Sequence, residues 1–342
     1  MTCMKYQWEY KRRLRIGMVG AGSHTYRNLL PAFNYLPVEL KAICGYSDRN
    51  KGEALARQYG CHYWQGMDEL LDREELDAVF LCVSPQLHPE LAIKALDAGL
   101  HIYMEKPASA SAEAVQAILE HRKDQVVVVG YKKAFMPGTD KAVELVHDPS
   151  YGKLKSILSV YPVHVPTAGD DRGEWLANSC HPLSFMAAVG GDIRSIETLR
   201  GRSGNTICTV EFADGAIGTL HGATGPHPIE SYSVFGSDWN LRIENGDRVI
   251  LNRGIPFEYG RTESFVSCGE TGGSLIWEPQ NCLATIENST LFIQGIYFEM
   301  KYFCDCVLEK EKPERGTLEF ALMMAKLYEA GIRSEGSRIY ID

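Results

Sequence analysis

Up to about residue 133, short unbroken apolar runs alternate with stretches whose apolar residues return every three or four positions. The runs are Leu14–Val19, Leu40–Cys44, Ala78–Val83, His101–Met104 and Val126–Val129. Unbroken apolarity, as opposed to alternation, marks strands buried on both faces. Between them, Glu90–Ala98 sets Leu91, Ala92, Ala95 and Leu96 on one helical side and then meets Gly99, a residue suited to the C′ position. Strand and helix alternating at this spacing predict right-handed βαβ units and a doubly wound parallel sheet.

Beyond about residue 135 the pattern changes. Leu154–Val165 and Ile207–Phe212 read as longer strands with partial alternation. Asp214-Gly215 separates Ile207–Phe212 from Ala216–Leu220, and Asn245-Gly246 separates Leu241–Glu244 from Arg248–Leu251. Both dipeptides signal hairpins, because primed turns need positive φ. Helices are expected near Gln294–Leu308 and Thr317–Gly331, and Gly269–Gly273 is the most loop-like stretch. The expected architecture is α/β. Residues 1–133 form an N-terminal Rossmann domain on a doubly wound parallel sheet; residues 134–342 form a C-terminal α+β domain on a mostly antiparallel sheet. A chain of 342 residues is long for one core and comfortable for two.

Composition narrows the partners. Apolar residues make up 45% and charged residues 23%, as in an ordinary globular protein. The net charge of -9 disfavours nucleic acid and anionic membrane surfaces. No apolar run approaches the roughly 18–20 residues of a membrane span. Met1–Arg15 is charged and aromatic, unlike a secretory leader, so a cytoplasmic location is expected. Ten cysteines scatter without C-x-x-C pairs, most inside apolar runs as at Cys44 and Cys82, which predicts reduced, buried thiols. Cys304 and Cys306 lie two apart on a predicted helix and face different ways, so no metal site is expected.

The first run leads into Gly20-Ala21-Gly22-Ser23-His24-Thr25, a G-x-G-x-x-T turn one glycine short of the dinucleotide fingerprint. The first glycine permits the tight turn, and the second lets the backbone approach a pyrophosphate at the next helix's N-terminus. The third chiefly eases packing, so a small Thr25 is a tolerable replacement. An acid at the ribose should follow the next strand, and Asp48 is the candidate. Asp48 accepting from a 2′-hydroxyl would favour NAD; Ser47 and Arg49 holding a 2′-phosphate would favour NADP. The bland reading of Asp48 is a helix N-cap.

At this point the chain resembles the glucose–fructose oxidoreductase / inositol dehydrogenase / rhizopine catabolism (Gfo/Idh/MocA) family over nearly its whole length. The resemblance rests on Ile16-Gly17-Met18-Val19-Gly20-Ala21-Gly22, on Val83-Ser84-Pro85-Gln86-Leu87-His88, on Glu105-Lys106-Pro107, and on Val129-Gly130-Tyr131-Lys132-Lys133 followed by Phe135 and Pro137. Further on, Phe212-Ala213-Asp214-Gly215-Ala216 and His181-Pro182-Leu183-Ser184 match family blocks. The second of these departs from the family's D-x-x-x-H-x-x-D pattern: the acids fall on Ala177 and Ser184. Glu174 and Asn178 are the polar groups near enough in sequence to substitute in part.

The resemblance implies a cofactor, NAD or NADP, held by Gly20, Gly22, Ser23, His24, Asp48, Arg49, Ser84, Pro85, His88, Glu105 and Lys106. It implies catalysis by Lys106 and His181. Lys106 follows a strand's carboxyl end, where an ammonium stabilises developing alkoxide charge. The ordinary pKa of His181 suits a general base near neutral pH. Substrate contacts are expected from Lys106, Lys133, Asn178, His181 and His164; Tyr161 and His221 are weaker candidates. The implied reaction is hydride transfer to or from a secondary alcohol of a sugar, cyclic polyol or sugar derivative. The alternatives are transient oxidation without net redox, in a glycosidase or epimerase, and a cofactor-binding regulator without chemistry. A homodimer or homotetramer is expected, because an open sheet face tends to be buried.

Overall fold

The computed structural model describes residues 4–167, 172–222, 229–254, 257–259, 261–262, 273–279 and 288–341. Of the loop-like stretch at Gly269–Gly273, only Gly273 falls among them, and it opens a strand. The chain divides into two compact units, Met1–Lys132 with Gly295–Lys326, and Lys133–Gln294 with Leu327–Asp342. The first unit therefore includes a segment from near the carboxyl end of the chain.

In the first unit, strands β1 (Leu14–Val19), β2 (Val38–Gly45), β3 (His62–Gln65), β4 (Ala78–Leu81), β5 (His101–Glu105) and β6 (Val127–Gly130) pair in parallel, in the order β3-β2-β1-β4-β5-β6. The order reverses between β1 and β4, where open α/β sheets take ligands. Helices α1 (Leu30–Phe33), α2 (Arg49–Tyr59), α3 (Met67–Arg73), α4 (His88–Asp97) and α5 (Ala112–His121) join the strands. In α4 the predicted apolar side, Leu91, Ala92, Ala95 and Leu96, is buried, and Gly99 takes a φ of 79° just beyond the helix. Strand β3 escapes the apolar pattern because it is an edge strand of polar and aromatic residues, none of them buried.

Late in the chain, α10 (Ile296–Glu309) packs on β5 and β6 of this sheet. Its Phe303 sits edge-on to Phe80 at 5.5 Å, and Phe80 lies 4.9 Å from Tyr103. Cys44 is buried, as expected, whereas Cys82 is half-buried. Burial pushes both Cys44 and Cys82 up to about 12.

The second unit holds β7 (Ser156–Tyr161), β8 (Ile193–Arg200), β9 (Thr206–Phe212), β10 (Ile217–Gly222), β11 (Ser231–Phe235), β12 (Trp239–Glu244), β13 (Arg248–Arg253), a short hairpin of β14 (Phe257–Glu258) with β15 (Arg261–Thr262), then β16 (Gly273–Trp277) and β17 (Ile339–Tyr340). Nine of these form one sheet, ordered β16-β13-β12-β11-β7-β10-β9-β8-β17. Every pairing in it is antiparallel except β10 on β7. Its helices are α6 (Pro137–His147), α7 (Gly173–Asn178), α8 (Cys180–Gly190), α9 (Thr290–Ile293) and the end of α11 (Leu318–Arg333).

Asn245 and Gly246 both take positive φ, 50° and 80°, as a primed turn requires. Asp214-Gly215 differs from the expectation: only Gly215 has positive φ, and residues 213–215 form a three-residue loop closed by Phe212 N to Ala216 O. One sheet face buries Cys208, Val210, Leu220 and Ile157; the other leaves Leu158, Leu199, Ile207 and Ile217 between 37% and 53% exposed. His221 lies on this outer side, directly opposite Ile207, away from the packed helices. Among the described residues no helix is long and apolar enough to cross a membrane.

Candidate active site

The glycine turn is built as its sequence demands. Gly20 takes a φ of 105°, and a Cβ there would come 2.1 Å from the Cys82 carbonyl oxygen. Only glycine meets both conditions. Gly22 is exposed, and nothing lies within 4 Å of where its Cβ would stand, so the backbone is open to a close approach. Ser23 is exposed beside it. Thr25, in place of the third glycine, is fully buried and its hydroxyl donates to the Gly20 carbonyl at 2.9 Å, closing the turn on itself. The chain then leaves through a π-helical turn, Thr25–Leu29, before α1.

His24 joins this turn to the Glu105-Lys106-Pro107 loop. Its Nδ1 lies 2.9 Å from Asn28 Nδ2, and its Nε2 lies 3.2 Å from Glu105 Oε1, at ion-pair distance but off the hydrogen-bond direction. Burial alone would raise the Glu105 pKa. The contact with His24, the charge of Lys106 and the Tyr103 hydroxyl outweigh it and hold Glu105 below the usual carboxylate range. Lys106 is half-buried and precedes a cis peptide at Pro107. His88, the first residue of α4, is fully buried, with Nδ1 2.9 Å from the Pro107 carbonyl oxygen. Burial lowers its pKa, so the neutral ring donates from Nδ1 and braces the lysine loop. Ser84 is exposed and Pro85 half-buried in the turn before α4.

Asp48 caps α2, accepting from the Lys51 amide at 3.1 Å, while its side chain remains at the surface. Arg49 lies along the helix against Glu53 at 2.8 Å. A separate cleft of about 870 Å³ in this unit is lined by Arg12, His101, Arg122 and Lys310. It opens at the amino ends of β4 to β6, the end of the sheet opposite the glycine turn.

In the second unit His181 is the second residue of α8, is 7% exposed, and sets its ring 5.8 Å from that of Tyr161. Ser184 is no stand-in for an acid: its buried hydroxyl donates to the His181 carbonyl at 3.1 Å, one turn back. Glu174 pairs with His164 at 3.0 Å, both about half exposed. Asn178, half-buried, ends α7 two residues before α8 begins. Lys133 departs from the expectation of a substrate contact. It is 2% exposed, and its ammonium is enclosed by Glu230 and Gln294, because the chain folds those two acceptors around it. Glu230 also accepts from the Tyr232 hydroxyl at 2.8 Å, and its charge acts on Tyr161. Glu230 carries no local signal; it reaches Lys133 across about a hundred residues of chain.

Residues 14–132 match the model of the Gfo/Idh/MocA oxidoreductase family, described by its NAD-binding Rossmann fold. Over that span the chain is similar to the Rossmann domain of these oxidoreductases. A dTDP-3,4-didehydro-2,6-dideoxy-alpha-D-glucose 3-reductase of Streptomyces violaceoruber is 30% identical over 197 residues, 54% of this chain and 57% of the reductase. A 2,7-anhydro-N-acetylneuraminate hydratase of Mediterraneibacter gnavus is 30% identical over 232 residues, 60% of this chain and 61% of the hydratase. The chain thus spans about half the length of the first curated relatives it matches. Among solved structures, a dehydrogenase from Chromobacterium violaceum superposes with a TM-score of 0.82 at 20% identity, covering 95% of this chain and 96% of that one. This last likeness concerns the fold.

Proposed function

We propose that this protein is an NAD(P)-dependent oxidoreductase of the Gfo/Idh/MocA type that moves a hydride between nicotinamide and a secondary alcohol or ketone of a sugar, cyclic polyol or sugar derivative. The observation that carries the reading is the join at Glu105. The turn fitted to a diphosphate touches, through His24, the residue next to Lys106. The nicotinamide, when bound, supplies or accepts the hydride. The chain's residues do the rest. Gly20, Gly22, Ser23 and His24 meet the diphosphate, Asp48 and Arg49 the adenosine ribose, and Ser84, Pro85, His88 and Glu105 the nicotinamide end. Lys106 holds the reacting oxygen through its ammonium and offsets the charge that develops there. His181 takes the hydroxyl proton, and Asn178 and His164 contact the substrate. The reductase relative supports a sugar-derived substrate.

A second reading has a specific support in the hydratase relative, whose named reaction has no net redox. Incubation with NAD or NADP and a panel of inositols, hexoses, uronic acids and anhydro-sugars separates the two. Growth of reduced nicotinamide in step with substrate loss is the expected result. Product release without net reduced cofactor moves the protein to the second reading. Silence with every substrate, in protein that binds cofactor tightly, leaves a non-catalytic regulator and overturns both.

Self-association fits the outer sheet face, where Leu158, Leu199, Ile207 and Ile217 stand exposed on neighbouring strands. Ile217→Asp is expected to convert a dimer or tetramer to monomer in light scattering after size exclusion. A wild-type monomer at micromolar concentration would discard the proposal.

A further inference from the structure

We infer that Glu299 is a positioning acid, held neutral in the fold, that donates to the Tyr103 hydroxyl, which donates in turn to Glu105. Through this chain α10 fixes a single buried anion next to Lys106. The inference rests on the reading of Lys106 given above for its meaning, but not for its test.

One phenol proton stands between two carboxyl groups. The Tyr103 oxygen lies 2.8 Å from Glu299 Oε1 and 3.2 Å from Glu105 Oε1. All three side chains are buried: Tyr103 is 0% exposed, Glu299 1% and Glu105 6%. A phenol has one proton to give. If both carboxyls were ionised, one oxygen would face the phenol oxygen without a proton between them, at a buried site where an unpaired charge is costly. The second contact is a hydrogen bond only if one carboxyl carries a proton. Two like charges bridged by one small group drive the same outcome.

The surroundings decide which carboxyl that is. Glu105 has His24 at 3.2 Å and Lys106 as its neighbour, and it stays ionised. Glu299 has no such partner: its Oε2 is buried without a hydrogen bond among the described residues. Burial, then the charge of Glu105, raises its pKa well above the ordinary value, and the Tyr103 hydroxyl and the charges of Lys132 and Lys106 oppose this without reversing it. The proton therefore sits on Oε1 and points at the phenol. Gly130, in the block Val129-Gly130-Tyr131, makes the space. A Cβ there would stand 2.4 Å from the Tyr103 hydroxyl and 3.1 Å from Glu299 Oε1. Lys106 is thereby left facing one negative charge in the strand-end cluster where two carboxyls lie.

Infrared spectroscopy of the whole protein at pH 8 tests this without any turnover. A C=O band of a protonated carboxylic acid is expected in the wild type, absent from Glu299→Gln and still present in Lys106→Ala. No band in the wild type, or a band that survives Glu299→Gln, overturns the inference, whatever the substrate panel returns. Thermal unfolding gives a second readout. A carboxyl whose pKa is raised by folding stabilises the protein below the ordinary carboxylate range and loses that contribution as pH rises towards the folded value. Wild type should therefore melt lower at pH 9 than at pH 6 by a larger margin than Glu299→Gln; equal margins count against it. If turnover is found, Glu299→Leu should lower kcat about 10-fold with the cofactor KM unmoved, and Glu299→Gln, which still donates an N–H to Tyr103, should recover most of that loss. Equal kcat in the two variants would reduce Glu299 to a packing residue.

Discussion

Lys106→Ala is expected to lose at least ~100-fold in turnover while cofactor affinity stays within about threefold. The asymmetry follows from where the residue sits. The turn that would grip a diphosphate is built from Gly20, Gly22 and the buried Thr25 hydroxyl, none of which depends on the lysine side chain. The lysine loop is held separately, by His88 on the Pro107 carbonyl and by the buried Glu105. Removing the ammonium therefore deletes charge at the reacting oxygen and leaves the cradle standing. The measurements are steady-state rates with whichever substrate the panel identifies and cofactor titration by fluorescence. A rate equal to wild type would take Lys106 out of the chemistry.

Gly20→Ala is expected to be the most damaging single methyl in the first unit. The φ of 105° is strained for alanine, and the new carbon would have to lie 2.1 Å from a backbone oxygen that belongs to the neighbouring strand's end. The turn must open to admit it, breaking the Thr25 bond to the Gly20 carbonyl. A loss of about 2–4 kcal/mol follows, or roughly 3–6 °C in melting temperature for a protein of this size. Cofactor binding should fall below detection in the same variant. Gly22→Ala is the control. Its methyl meets nothing within 4 Å, so stability should hold within about 0.5 kcal/mol while cofactor binding weakens. If Gly20→Ala melted with the wild type, the turn would be far softer than this packing implies.

Much of the first unit is legible along the chain because its strands are buried on both faces. Ala78–Leu81 and Val127–Gly130 are apolar throughout and declare themselves. An edge strand such as His62–Gln65 has no such constraint and gives no signal. In the second unit β8 reads Ile-Arg-Ser-Ile-Glu-Thr-Leu-Arg, with its burial broken by a bulge, so neither an apolar run nor a clean alternation identifies it. The site divides in the same way. The glycine turn and the Glu105-Lys106-Pro107 loop are local motifs and can be read from adjacent residues. Glu299 on Tyr103, and Glu230 on Lys133, are pairs separated by long stretches of chain. Nothing in a single sequence says which distant glutamate a buried tyrosine or lysine will meet. Ser184 shows an intermediate case: the missing acid is visible, but the hydroxyl's bond to the His181 carbonyl appears only in the fold.

The place of α10 has a consequence for synthesis. Once Lys132 has been made, all six parallel strands exist, yet the helix that covers β5 and β6 begins only at Ile296, after β7 to β16 of the second unit. Until Phe303 arrives, Phe80 and Tyr103 have wet flanks. A fragment that stops at residue 132 should be sticky and short-lived, and one that carries residues 295–326 on a linker should not. The first unit is begun before the second and cannot close until residues 133–294 of the second have been made.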